Sequence, residues 1–392
     1  MNRRESSIRN ISRWFVGIVL LFVLVIIFLI NSLKLKPENY NQKVNNEIKR
    51  ICVISASENN KRNDQSAMIK LDNGNLVIAY SHFGKGGRDV DKSSIYFQVS
   101  TNGGNSWNTE KELIETINLG SYVPSFYKKP NGNILVVFFV RESDDLFTSS
   151  LRQIEFSADL TSVITKAKII LPATGYFPIA SDRLFYDEKS KMLLMPYPYL
   201  VSGPGYSQKS IYKTKIITSK DFGKSWADSG LTINGFVNEE GFGGALEPGL
   251  FRNRDKITLY SRNMIEQIGA CDLIWNGTNY EKGEEYNLEI ATWNAQSTIK
   301  YSELLRGWIA TYTRLNKTAA SPRSQIDVAF SSDAVTWKKV FTVDDIEQVG
   351  GFMVNEPNIF INNNTVFISY SIATKPGNYY DLKIVKLPMT VF

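Results

Sequence analysis

From residue 51 onward, apolar and polar residues alternate in short runs separated by tight-turn residues. That period of two predicts β-strands, because successive side chains of a strand point to opposite faces of its sheet. One unit recurs: a polar or proline-bearing start, a short strand, a tight turn, then a hydrophobic strand usually ending in an aromatic. It reads NDQSAMIKLDNGNLVIAY at Asn63 to Tyr80 and VPSFYKKPNGNILVVFF at Val123 to Phe139. The third copy is SDRLFYDEKSKMLLMPY from Ser181, and the fourth is LEPGLFRNRDKITLY from Leu246. STIKYSELLRGWIATY from Ser297 is a weaker fifth, and NEPNIFINNNTVFISY from Asn355 the sixth. The turns, near Gly74, Gly132, Ser190, Asp255, Arg306 and Asn364, lie roughly 50–65 residues apart, room for four strands and their loops in each repeat. A single repeat would leave both of its faces wet, and closing six into a ring buries those faces against neighbours. The pattern therefore predicts an all-β chain folded as a six-bladed β-propeller.

A second pattern sits later in several repeats. Ser219 to Trp226 reads SKDFGKSW, Ser100 to Trp107 reads STNGGNSW, and Ser331 to Trp337 reads SSDAVTW, one residue shorter. Ser157-Ala158-Asp159 is a decayed copy without its Trp. A short Asp or Asn accepts hydrogen bonds from its own turn, and glycine permits the positive φ such turns need. The Trp then folds under the turn as a hydrophobic plug. These residues read as structural devices.

Ahead of the repeats, Trp14 to Ile30 is uncharged and apolar, and Asn31 to Leu33 extend it to roughly the 20 residues a bilayer requires. Arg3, Arg4, Arg9 and Arg13 outweigh Glu5 before it, which places the N-terminus in the cytoplasm. The stretch is long and no small-x-small cleavage site follows, favouring an uncleaved anchor over a signal peptide. The expected organisation is a basic cytoplasmic segment (1–13), a transmembrane anchor (14–33), a polar tether (34–50) and an extracytoplasmic propeller (51–392). The Lys/Asn/Ile-rich style points to a bacterial chain, with the propeller in the periplasm or at the cell surface.

Composition narrows the chemistry further. The net charge of +6 is not concentrated in any Lys/Arg run interleaved with aromatics, which argues against nucleic acid. One His and two Cys leave no material for a His-rich metal site or a disulfide-dense scaffold. Cys52 and Cys271 either pair in an oxidising compartment or remain free thiols. Without a glycine-rich phosphate loop, zinc ligand cluster or nucleophile elbow, no metal or cofactor is expected.

The pattern S-x-D-x-G-x-[ST]-W, complete in SKDFGKSW, is the Asp box, and the chain from about Cys52 onward resembles the sialidase (BNR-repeat) superfamily. The resemblance implies three arginines for a substrate carboxylate, a Tyr nucleophile supported by a Glu, and an Asp acid/base. Arginine suits the first task because it stays charged and grips a carboxylate bidentately. By position in the repeats, Arg62 matches the first arginine, Arg262 the second and Arg323 the third, with Arg314 as a competing choice. Glu247 in LEPGLF matches the supporting Glu. Where the family's Asp is expected, the chain has Ser81 and His82, with Asp89 and Asp91 further along. Where its Tyr is expected, the chain has Glu356.

The residues point the same way when read from the fold alone. Inner strands of a propeller converge on its axis, so the starts of the repeats bring Asp64, Tyr122, Asp182, Glu247, Thr298 and Glu356 together. Carboxylates that converge need cations or protons between them, and Arg62, Arg183, Arg262 and Arg323 are the available partners. The expected catalytic set is Glu247, Glu356, Asp64 and His82; the expected binding set is Arg62, Arg262, Arg323, Asp182 and Arg183. Two carboxylates flanking a glycosidic bond suffice for hydrolysis, and Glu247 with Glu356, or with an Asp from the first repeat, would be that pair. These features suggest a membrane-anchored, sialidase-like glycoside hydrolase that removes a terminal acidic sugar from a surface or envelope glycan. The alternatives are a glycan-binding propeller without turnover and a scaffold whose rim binds proteins.

Overall fold

In the computed structural model the described residues are 47–143, 148–204, 209–316, 321–346 and 350–392. The expected anchor at 14–33 lies outside them. Among the described residues no helix is long and apolar enough to cross a membrane. Lys49–Phe392 forms one compact unit.

Strands dominate that unit, so the all-β expectation holds. β1 (Lys49–Ile54) is followed by a four-stranded meander of β2 (Asn63–Lys70), β3 (Leu76–His82), β4 (Ser94–Ser100) and β5 (Lys111–Ile114). A second meander comprises β6 (Gly120–Lys128), β7 (Ile134–Arg141), β8 (Ser149–Phe156) and β9 (Val163–Gly175). The third sheet joins β10 (Phe185–Asp187), β11 (Met192–Ser202), β12 (Ile211–Ser219), β13 (Ala227–Ile233), β14 (Phe236–Val237) and β15 (Gly243–Gly244). A seven-stranded sheet then runs through β16 (Leu246–Asn253), β17 (Lys256–Arg262), β18 (Gln267–Trp275), β19 (Tyr280–Ser302), β20 (Gly307–Arg314), β21 (Gln325–Ser331) and β22 (Lys338–Asp345). The last sheet is β23 (Met353–Asn362), β24 (Thr365–Lys375) and β25 (Tyr379–Pro388), completed by β1, which pairs antiparallel with β25. The first strand of the unit thus fastens the last sheet, leaving the chain propeller-like with its ends joined.

The sequence of β7, ILVVFFVR, explains how the sheets stack. It is buried along its whole length. Ile134, Val136, Phe138 and Val140 pack with Ala67, Ile69, Val77 and Ala79 of the first meander. Leu135, Val137 and Phe139, on the other face, pack with Leu193, Met195 and Tyr197 of the third sheet. A strand covered on both faces reads as a continuous apolar run, not an alternating one.

The boxes do the turn work expected of them. The Asp221 carboxylate accepts from the Ser225 amide (2.9 Å) and hydroxyl (2.6 Å) and from the Ser219 hydroxyl (2.8 Å). Trp226 donates its indole N–H to Gln153 Oε1 (2.7 Å), and Gln153 returns a hydrogen bond to the Gly223 carbonyl (2.7 Å), tying one sheet to the preceding one. Gly223 has φ +88°, and a Cβ there would meet Leu135 Cδ2 at 2.6 Å. Gly223→Ala is therefore expected to destabilise the fold by about 2–3 kcal/mol in urea melts, strain and overpacking together. Gly132→Ala has the same strain (φ +88°) but its nearest contact is 3.5 Å, and should cost about 1 kcal/mol. Cys52 and Cys271 are both free, one exposed and one buried.

Candidate active site

One local device places the candidate residues. The innermost strands break register near their starts, between Asp64 and Ala67, Tyr122 and Ser125, Leu246 and Gly249, and Asn355 and Asn358. At each break a non-glycine residue takes positive φ: Gln65 (51°), Val123 (61°), Glu247 (46°) and Glu356 (55°); Asp182, just ahead of β10, does likewise at 57°. Such bulges cost backbone strain and re-aim a side chain. Of the residues expected at the starts of the repeats, Asp182, Glu247 and Glu356 take this conformation. In the first two repeats it belongs to Gln65 and Val123, one residue beyond the expected Asp64 and Tyr122.

Asp64 has a different environment. It is 1% exposed, and its Oδ2 accepts from Arg62 Nε at 2.5 Å. Arg62 also holds Asp89 through Nη1 (2.5 Å), and its guanidinium lies over the rings of Phe83 (4.7 Å) and Tyr380 (5.3 Å). Burial works against the Arg62 charge, but Asp64 and Asp89 outweigh it and hold the pKa well above the ordinary value. Burial pushes the Asp64 carboxyl upward despite Arg62.

The second and third arginines share a bridge. Arg262 donates from Nη1 to Glu247 Oε1 (2.7 Å) and from Nε to Asn294 Oδ1 (2.5 Å). Arg323 donates to the carbonyl of the same Asn294 (3.4 Å) and to Asn355 Oδ1 (2.7 Å), next to Glu356 in sequence. Burial and the neighbouring charge of Arg262 lower the Arg323 pKa. Its positive charge is therefore undercompensated. The second oxygen of Glu247 is buried and has no hydrogen-bond partner among the described residues.

Glu356 sits among all of these groups. Burial, then the charges of Glu247 and Asp64, push its carboxyl up to about 8, against the pull of Arg323 and Arg62. The pocket thus contains three arginines, an ion-paired glutamate and a carboxyl that holds its proton at neutral pH. Tyr380 completes one wall. It is 5% exposed, and burial raises its pKa while Arg62 and Arg323 act on it from beside.

Comparison with known proteins bears on the meaning of this pocket. Residues 74–378 match the family model described as the BNR repeat-like domain. The chain belongs to that family. Among curated proteins no sequence match is found. Among solved structures the fold resembles the NanB sialidase of Streptococcus pneumoniae (TM-score 0.64, 10% identity, covering 87% of this chain and 71% of that one). It also resembles Trypanosoma rangeli sialidase in complex with the inhibitor DANA (TM-score 0.63, 13% identity, 87% and 59%). A protein of unknown function from Dyadobacter fermentans is similar over nearly its whole length (TM-score 0.65, 12% identity, 87% and 99%).

In this BNR repeat-like chain, the residues chosen from sequence separate into two groups. Arg62, Arg262, Arg323, Glu247, Glu356 and Asp64 come together. Arg314 does not; it lies near Gln325 (3.4 Å) and Asp327 (3.9 Å) with half its side chain exposed. His82 ends β3 facing away from the arginines: it stacks on Tyr96 (4.1 Å) and approaches Glu110 (4.0 Å), and burial lowers its pKa. Strand alternation explains this, since Ser81 is the neighbour that faces Gln65 (3.0 Å). Asp182 is neutralised by Lys300 (2.9 Å). Arg183 is 2% exposed; its Nη1 donates to the Tyr260 hydroxyl (2.7 Å) and the Thr298 hydroxyl (3.3 Å) and its Nη2 to the Ser297 carbonyl (2.8 Å), while its Nε is buried without a partner among the described residues. It braces the sheets against one another, and its burial, not a lack of free donors, keeps it from a ligand carboxylate. Sequence reasoning missed Tyr380 and Asn294 and undervalued Asp89, because their roles depend on contacts with residues far along the chain that no local motif encodes.

Proposed function

We propose that the protein is a sialidase-like glycoside hydrolase that releases a terminal acidic sugar from a surface or envelope glycan. The 14–33 segment anchors it, and the propeller lies outside the cytoplasm. The observation that supports this most is the gathering of Arg62, Arg262 and Arg323 around Glu356, with the Arg323 charge undercompensated. A sugar carboxylate supplies the missing counter-charge. Counting β19, the outer strand beside β18 and the inner strand beside β20, in both units, and setting aside the short β14 and β15 of the third sheet, supports six four-stranded blades.

The chemistry divides between two carboxyls. Glu356 carries a proton at neutral pH and gives it to the leaving glycosidic oxygen as the bond to the anomeric carbon breaks. Glu247, held by Arg262 through one oxygen, takes on the other a proton from the attacking water, whose oxygen bonds to the anomeric carbon as the glycosidic bond breaks. A neutral Glu356 also avoids setting a second negative charge against the substrate's own.

The test is turnover by the full chain on a panel of aryl glycosides including the aryl sialoside. Sialoside cleavage is expected, and Arg323→Ala should raise its KM about tenfold or more, the cost of one charge-assisted contact. Silence across the panel, with Arg262-dependent binding of free acidic sugar, would replace the hydrolase with a glycan-binding propeller.

A further inference from the structure

A cavity of about 730 Å³ opens to solvent among the turns at the far ends of the inner strands. Its lining includes Tyr127, Tyr186 and Phe222, with Lys128, Asp72 and Glu188 at the rim. Asp72 follows the end of β2 whereas Arg62 and Asp64 lie at its start, so the length of this eight-residue strand, roughly 25 Å, separates the cavity from the arginines.

The three rings form a cluster with centroids 5.6 Å (Tyr127–Tyr186), 6.0 Å (Tyr186–Phe222) and 6.4 Å (Tyr127–Phe222) apart. The last pair is parallel within 6°. All three rings remain partly exposed. Phe222 is the informative one. It takes φ +56° inside the third-sheet box, at the position that Gly103 (φ +67°) fills in the first-sheet box. A bulky residue at positive φ is strained; the other two boxes carry Leu160 (60°) and Ala334 (64°) at this position, and here Phe222 puts an aromatic ring on the cavity wall. The rim charges are mixed, with Lys128 paired to Asp72 at 2.6 Å and Glu188 to Lys191 at 2.9 Å. A cavity without net charge, walled by aromatic faces and edged with hydrogen-bonding groups, suits an uncharged polar ligand with flat C–H faces.

We propose that this cavity binds a neutral pyranose segment of a glycan, whose axial C–H bonds stack on Tyr186 and Phe222 while its hydroxyls meet Lys128, Asp72 and Glu188. The site is independent of the arginine pocket and would hold the protein on a polysaccharide that the other end processes.

The experiment uses the full chain in a detergent without a sugar headgroup. Binding to lactose, N-acetyllactosamine, N,N′-diacetylchitobiose and maltotriose is followed by ligand-observed NMR. At least one is expected to bind saturably, with Kd on the order of 1 mM. Tyr186→Ala and Phe222→Gly should each weaken it about tenfold, the loss of one stacked ring, and Arg323→Ala should leave it unchanged. Phe222→Gly should also keep or raise the Tm, because glycine relieves the positive φ. Absence of saturable binding, or binding unchanged in the double variant, overturns the proposal. So does a fall in Tm for Phe222→Gly, which would make the ring a packing element of the turn.

Discussion

Glu247→Gln is expected to lower kcat on an aryl sialoside by about 10²–10⁴-fold, the usual contribution of a positioned proton-transfer group. The substitution is nearly isosteric, and the amide oxygen still accepts from Arg262. What disappears is the negative charge and the basicity of the buried oxygen that has no partner among the described residues. A second consequence separates catalysis from collapse of the site. Arg262 would keep its hydrogen bond to Asn294 (2.5 Å) but lose its counter-charge, so the carboxylate of a bound acidic sugar becomes its best partner. KM for the sialoside should therefore stay level or fall while kcat falls. A parallel collapse of both, with a lowered Tm, would mean that Glu247 only holds Arg262 in place, and the proposed role would fail.

The architecture was legible because it is repetitive and local. Runs such as ILVVFFVR need a cover on both faces, and the boxes at Ser219 and Ser331 can close only as turns. The site was legible as far as residue type and strand position define it. Arg62, Arg262, Arg323, Glu247 and Glu356 all lie where the repeat pattern puts them. Several of the residues misjudged share a cause: a one-residue displacement flips a strand's side chains to the other face. The bulges shift the inward position to Gln65 and Val123, and nothing in Gln or Val announces a positive φ. Parity likewise sends His82 toward Tyr96 and leaves Ser81 inward. Tyr380 reaches Arg62 from the last strand, more than three hundred residues along the chain, and no periodic signal carries that distance. β19, a 23-residue strand shared between two sets of neighbours, hides a repeat boundary that sequence spacing suggested.

Glu356→Gln should remove a pH dependence expected of the wild-type chain in both stability and turnover. An ordinary glutamate titrates near 4.5, and in the folded chain burial, Glu247 and Asp64 raise Glu356 to about 8. Between those values the folded state binds a proton that the unfolded state has released, so stability falls as pH rises. The contribution is fully present below about pH 4.5 and is lost by the time pH passes about 8. Urea melts of the wild type should lose on the order of 3 kcal/mol between pH 5 and 9 from this group, and the Gln variant should lack that component because its amide never ionises. Turnover has the same origin. As proton donor, Glu356 should give kcat/KM a basic limb near the pKa of the free enzyme, and Glu356→Gln should flatten that limb and cut the rate about 10²–10⁴-fold. An aryl sialoside with a strongly acidic leaving group needs little protonation as its bond breaks, so the variant should recover most of its rate on that substrate alone. Equal losses on good and poor leaving groups would take the proton donor away from Glu356, and Asp89, beside Arg62, would be the next carboxyl to replace.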